Sequence, residues 1–247
     1  MRTQPAPNGT WAWAGPLPSS VVPLHPEASA VLSHWYCRRF DGSLPPGLSA
    51  SAHDPRTDCL TPSTAPEEAL IKAQWVSDSA WAAGMKEGGS AEHGLDWWRA
   101  LHERAKAGEL DDWKTSSPWE NLALVLLLDQ VPRALFDGPE ILCSDEKALA
   151  TTLSAIKRGM DLQLPPAWRL FFYFPLMHAE NVPDQELGVS CITALAEAAP
   201  GFGVVVKSAV AHLEPVQLFG RLPERNEMLS RPSSEAEVQY LKDHPTA

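Results

Sequence analysis

Cysteine is scarce in this chain and scattered. Cys37, Cys59, Cys143 and Cys191 stand far apart with no C-x-x-C spacing, which argues against a zinc knuckle or a redox dithiol and leaves free thiols. A cysteine nucleophile would need a low-pKa environment that spacing alone does not reveal. Basic charge is also short: 20 Lys and Arg face 31 Asp and Glu, the formal net charge is -11, and no Lys/Arg run exists. Nucleic acids and anionic membranes need a basic footprint, so neither is expected as a partner. No apolar run approaches the roughly 18 residues of a membrane span, and MRTQPAPNGTWAWAG has no basic region followed by an apolar core. A cytoplasmic protein is expected, in which the Asn8-Gly9-Thr10 sequon is an accident. Also missing are G-x-G-x-x-G after a strand, a Walker lysine loop, a G-x-S-x-G elbow and H-E-x-x-H, so no cofactor and no metal site is predicted. Period-2 runs bounded by hairpin turns are absent too, which removes the β classes.

What remains is helix. With 247 residues and 44% hydrophobic content the chain can bury one large core. Residues 1–26, dense in proline, read as an extended arm that Trp11 and Trp13 pin to the body. Residues 27–247 read as a single all-helical domain. PEASAVLSHWYCRRF is its first helix, and residues 41–66, rich in Gly, Pro and Ser, form a long irregular loop. Helices then follow at 66–89, at 95–113 with an end near Gly108, at 116–130, at 144–159 and at 165–180 with a bend or break at Pro175. Three more occupy 182–201, 204–220 and 233–244. Ser117, Pro118 and Glu120 spell a capping box with proline at the first helical position. Short connections imply antiparallel hairpins.

Three polar constellations interrupt these apolar helices. In LALVLLLDQVPRALFDG, seven apolar residues end in Asp129, Gln130 and Arg133. Pro132 removes a backbone donor there and predicts a kink, and the carboxylate at the negative helix end calls for a cation, Arg133 being nearest. MHAENVPDQE carries His178, Glu180, Asp184, Gln185 and Glu186 behind the aromatic run FFYF, and a His and a carboxylate two residues apart can serve as an acid/base pair. The H-x-E spacing matches zinc deaminases, but their P-C-x-x-C partner is missing. HLEPVQLFGRLPERN brings His212, Glu214, Arg221, Arg225 and Asn226, and two arginines around a proline turn can grip a carboxylate or phosphate. Each constellation has a structural alternative, in which charged helix ends serve as caps or interhelical ties.

LALVLLLDQVPRALFDG, MHAENVPDQE and LFGRLPERNEMLSR, in that order and together with AGELDDW at 107–113, resemble the motifs of the uncharacterised family numbered 924 among domains of unknown function, over roughly residues 30–241. The resemblance implies antiparallel helical hairpins stacked as a tetratricopeptide-like superhelix or bundle, and it brings no established activity. The family pattern coincides with Asp129, Gln130, Pro132 and Arg133, with His178 and Glu180, with residues 184–186, with His212 and Glu214, and with Phe219 to Asn226. The chain departs from it at Val131, Ala179, Leu218 and Glu224, where the family usually has phenylalanine, serine, arginine and histidine. The last two changes remove cationic or titratable groups from the presumed site and imply a more apolar ligand.

The leading functional expectation is a cofactor-independent acid/base enzyme for a small, largely apolar molecule with an anionic or carbonyl group. Asp129, His178, Glu180 and His212 would be its catalytic groups, and Arg133, Gln130, Asp184, Arg221, Arg225 and Asn226 would bind substrate. The alternative is a scaffold that takes a peptide or protein partner on a concave face. A third reading, metal-dependent isoprenoid diphosphate chemistry with Asp111, Asp112 and Asp129, ranks last because the spacing fits no diphosphate motif.

Overall fold

The computed structural model describes residues 24–32, 94–164, 166–198 and 202–244. Most of the expected arm, the loop at 41–66, the helix at 66–89 and the family-pattern residues before 94 other than 24–32 lie outside them. The described residues are all-α, with no strand among them. A helical segment over residues 26–32 (α1) buries Ala28, Val31 and Leu32 completely. It is fastened at its N-terminal end, where Glu27 takes a 2.6 Å bond from Arg104 and the His25 amide donates to Glu120 at 2.8 Å. Helix α2, Leu95–Ala107, turns Trp98, Leu101, His102 and Ala105 inward, the i, i+3, i+4, i+7 face of an amphipathic helix. It stops at Gly108, whose φ of +93° closes a Schellman pair through Gly108 N–H to Ala105 O and Glu109 N–H to Arg104 O.

The one-turn α3, Trp113–Ser116, leads into α4, Pro118–Val125. Ser117 caps α4 by accepting the Glu120 amide at 3.2 Å. The expected capping box is only half formed: the Glu120 carboxylate bonds the Ser117 hydroxyl and the distant His25 amide, so it serves as a tertiary tie to α1. From Leu122 to Leu128 every side chain is fully buried, which makes this the central helix, flanked by α2, α6 and α7. Burial of each leucine contributes about 1.5–3 kcal/mol, enough in aggregate to carry one buried charge at its end.

The expected kink takes a definite form. Leu126–Gln130 is a π-helical turn between α4 and α5, Val131–Leu135. Pro132 has no N–H, and the Val131 amide reaches back to Leu126 O, so the Leu127 carbonyl loses both amides that could serve it and the Leu128 carbonyl loses its usual one. His102 Nδ1–H donates to the first at 2.9 Å and the Ser144 hydroxyl to the second at 2.6 Å. The bulge is therefore stabilised from two neighbouring elements.

Beyond a 3₁₀ turn at Gly138–Leu142 come α6, Asp145–Lys157, and α7, Pro166–Met177. Pro175 does not break α7, which continues two residues past it. Then follow α8, Val182–Ala198, α9, Gly203–Phe219, and α10, Glu235–Asp243. Consecutive helices α7, α8 and α9 pack side by side as hairpins. Gly188 lets α8 approach α7 closely, since a Cβ there would lie 3.0 Å from that of Leu176.

Candidate functional site

The π turn does more than bend the central helix. It places Asp129, fully buried, so that its two oxygens face different partners. His178, in the turn after α7, bonds Asp129 Oδ1 through Nδ1 at 2.7 Å, and Gln130 Nε2 donates to Oδ2 at 2.6 Å. Arg133, one turn on in α5, lies 3.4 Å from Oδ1 and also donates to the Asp129 carbonyl. Its guanidinium then makes a bidentate pair with Asp145 at the start of α6, both contacts 2.9 Å. Arg225 approaches the same carboxylate at 3.7 Å.

Burial is the largest influence on Asp129 and would raise its pKa. It is outweighed by the His178 and Arg133 charges and by the bonds from His178 and Gln130, so the carboxyl is held far below the usual range. Burial, then Arg133, push His178 the other way, below its ordinary value, against the pull of Asp129. The His178 charge acts on Asp129 only once the imidazole is protonated, and at neutral pH the pair rests as a carboxylate and a neutral imidazole. With Asp129 as acceptor, His178 Nδ1 carries the proton and Nε2 carries the lone pair. That Nε2 has no hydrogen-bond partner among the described residues. Arg225 is mostly buried too, and burial lowers its pKa. Among the described residues Asp145 at 3.7 Å is its one side-chain partner, which leaves most of its donors uncommitted there.

Of the expected site residues, the structure brings Asp129, Gln130, Arg133, His178 and Arg225 together. It commits the others elsewhere. Glu180 forms a bidentate pair with Arg231, 2.6 and 2.8 Å, and accepts the Leu222 amide at 2.9 Å, which makes it a strut between the α8 entry and the C-terminal segment. Arg221 is paired with Glu237 of α10 at 2.6 and 2.8 Å. Asn226 donates to Ser233 and Glu237 and accepts from Arg231. Asp184 closes an Asn181 cap on α8, and Gln185 donates to the Met177 and Ala179 carbonyls. His212 bonds Ser208 O within its own helix and forms no bond to the Asp129 cluster among the described residues. Asp111 is held by Lys114 and Lys147. The family-pattern departures divide likewise: Val131 and Ala179 are buried, while Leu218 is 60% exposed and Glu224 is exposed. The last two are therefore not part of the buried cluster, and they carry no argument for a more apolar ligand.

Sequence reasoning missed Asp145, which orients Arg133, and Ser144, which completes the bulge. Asp145 reads locally as a helix cap, and nothing in the intervening residues announces its partner twelve positions earlier. Arg231 and Glu237 were missed for the same reason.

A family described as "Bacterial protein of unknown function (DUF924)" matches residues 83–244. The chain belongs to the DUF924 family. A solved structure of another protein of unknown function, from Agrobacterium tumefaciens, is 32% identical with a TM-score of 0.55, covering 67% of this DUF924 chain and 98% of its own. No curated protein matches. Among the described residues no helix is long and apolar enough to cross a membrane, and no group of three or more His, Cys, Asp or Glu side chains is arranged to hold a metal ion.

Proposed function

We propose that this DUF924 protein is an acid/base enzyme acting on a small organic molecule with an anionic or carbonyl group, without a dedicated cofactor. The observation that carries the reading is the 2.7 Å bond between His178 and the fully buried Asp129, with the second imidazole nitrogen without a partner among the described residues. Asp129 fixes the tautomer and stabilises the imidazolium that forms on proton uptake, the role a buried aspartate plays behind a histidine base. Nε2 takes a proton from substrate carbon or oxygen and returns it elsewhere on the same molecule. Arg225, with Arg133 behind it, offsets the substrate's negative charge as it develops. Isomerase, cyclase, lyase and hydrolase steps all fit this proton traffic. Neutral imidazole at rest makes His178 a base at pH 7 without prior deprotonation.

A direct test is C–H exchange in D₂O, followed by NMR over a panel of small 2-oxo, 3-oxo and hydroxy acids. The expected result is deuterium incorporation into at least one compound, lost in His178→Gln and slowed in Asp129→Asn by on the order of 10²–10⁴. Exchange that persists in His178→Gln, or a panel on which the protein neither exchanges nor binds any compound, overturns the reading. The scaffold alternative draws support from the Glu180–Arg231 and Arg221–Glu237 pairs, which use family-motif residues as ties. A bound peptide that leaves the His178 resonances unmoved would favour it.

A further inference from the structure

A second arrangement of nucleophile and base lies in the 3₁₀ turn and α2, separate from the His178 pair. Cys143 is exposed, and its Sγ lies 3.5 Å from Nε2 of His102. His102 itself is fully buried. Its Nδ1–H is committed to the Leu127 carbonyl that the π turn leaves over, which fixes the tautomer and leaves the Nε2 lone pair aimed at the thiol. The Phe136 ring lies against the imidazole at a centroid distance of 5.5 Å. Nucleophile, base and an orienting third group are thus in line, which is the arrangement that activates a weak nucleophile. An exposed thiol beside a buried imidazole differs from a buried, inert structural cysteine. Lys106 of α2 and Arg133 of α5 are the cations near Cys143, and the opposing carboxylates are Glu103 beside His102, Glu140 near Lys106 and Asp145, which pairs with Arg133. Just beyond Cys143, α6 begins without a side-chain cap on its first amides.

The geometry points to Cys143 as an oxidative modification site, a thiol that His102 deprotonates as it attacks a hydroperoxide. The step balances within the named groups. His102 Nε2 takes the thiol proton, sulfur attacks one peroxide oxygen, the S–O bond forms and the O–O bond breaks. The second oxygen leaves as alkoxide or hydroxide and collects the proton from His102. Sulfur is oxidised by two electrons to the sulfenic acid and the peroxide is reduced to alcohol or water. Ser144 and Asp145 follow Cys143 directly, so the change is made beside the groups that hold the bulge and Arg133.

The test uses the full chain and hydrogen peroxide, with dimedone trapping and peptide mapping to read each cysteine separately. Cys191, whose thiol burial pushes up to about 11, is the internal control. Cys143 is expected to be labelled faster than N-acetylcysteine at pH 7, with Cys191 far behind, and His102→Gln is expected to slow it by on the order of a hundredfold. A rate equal to that of N-acetylcysteine, or unchanged in a folded His102→Gln variant, overturns the proposal. Because that variant removes a buried bond and can fail to fold, the pH dependence of the parent protein decides independently. A free thiol loses about tenfold in rate per pH unit below its pKa. Cys143 with a neutral base behind it should hold its rate as pH falls, and a tenfold loss per unit parallel to N-acetylcysteine also overturns the proposal.

Discussion

Ser144 Oγ donates to the Leu128 carbonyl at 2.6 Å, the same carbonyl that Pro132 cannot serve. A side chain sixteen residues away thus replaces a helix hydrogen bond. Ser144→Ala should leave a buried carbonyl unpaired and cost about 1–3 kcal/mol. Pro132→Ala restores an amide at the right position, so the double variant should recover part of that loss. Urea unfolding of both single variants and the double variant measures the coupling, and strict additivity would show that the two positions do not share this carbonyl.

Asp129→Asn should lower stability far more than Arg221→Ala. Asp129 is fully buried and faces both His178 and Arg133, and breaking such a pair costs about 3–5 kcal/mol. At this chain size each kcal/mol shifts the thermal midpoint by roughly 2–4 °C. Arg221 is partly exposed, and Glu237 keeps its Ser234 capping bonds without it, so its loss should register as a smaller shift. Equal shifts in the two variants would mean that the Asp129 cluster is no more tightly coupled than a peripheral tie.

Acid should weaken the fold in two steps. His178 and His102 both have pKa values lowered by burial from an ordinary value of 6.5. Below about pH 6.5 the unfolded chain takes up protons that the folded chain refuses, so stability falls with pH until the folded imidazoles titrate as well. Asp129, depressed from 3.8, adds a second loss as pH drops below that value. His178→Gln should make the first step shallower by up to about 1.4 kcal/mol per pH unit, and because His178 is a leading cause of the Asp129 depression it should weaken the second as well. Denaturant midpoints between pH 4.5 and 7.5 for the parent and the variant measure this, and superimposable slopes would refute it.

The helices were legible because their signals are local. Seven apolar residues ending at Leu128, Ser117 before Pro118 and Gly108 after Ala107 each act within a turn or two of the chain. Asp129 and His178 were legible for a related reason: a charge and an imidazole at the ends of apolar helices must be paired. Their pairing with each other was not. Asp129 was matched to Arg133, the nearest cation in sequence, whereas the shortest side-chain bond to its Oδ1 comes from His178 forty-nine positions on. Glu180, expected as a base, is instead paired with Arg231, a partner beyond two intervening helices that its sequence neighbourhood does not announce. A single chain gives composition and period, but the choice among several distant cations is made by packing.

Glu180 supplies the last prediction. Its carboxylate receives the Leu222 amide and both ends of the Arg231 guanidinium, while Arg231 also reaches the Leu222 carbonyl. One ionised side chain therefore fastens the segment between α9 and α10 onto the entry of α8. Glu180→Gln keeps the shape, but it removes the charge and replaces one acceptor with a donor facing the Arg231–Leu222 lock, so the local hold weakens while the core beneath is untouched. Amide exchange should accelerate at Leu222 and Arg231 by about tenfold or more, with little change at Leu124 in the central helix. If exchange at Leu124 rises in step with Leu222, the segment and the core open together and the strut is part of one cooperative unit. If neither changes, the Glu180–Arg231 pair contributes nothing measurable and the fastening comes from the backbone turn alone.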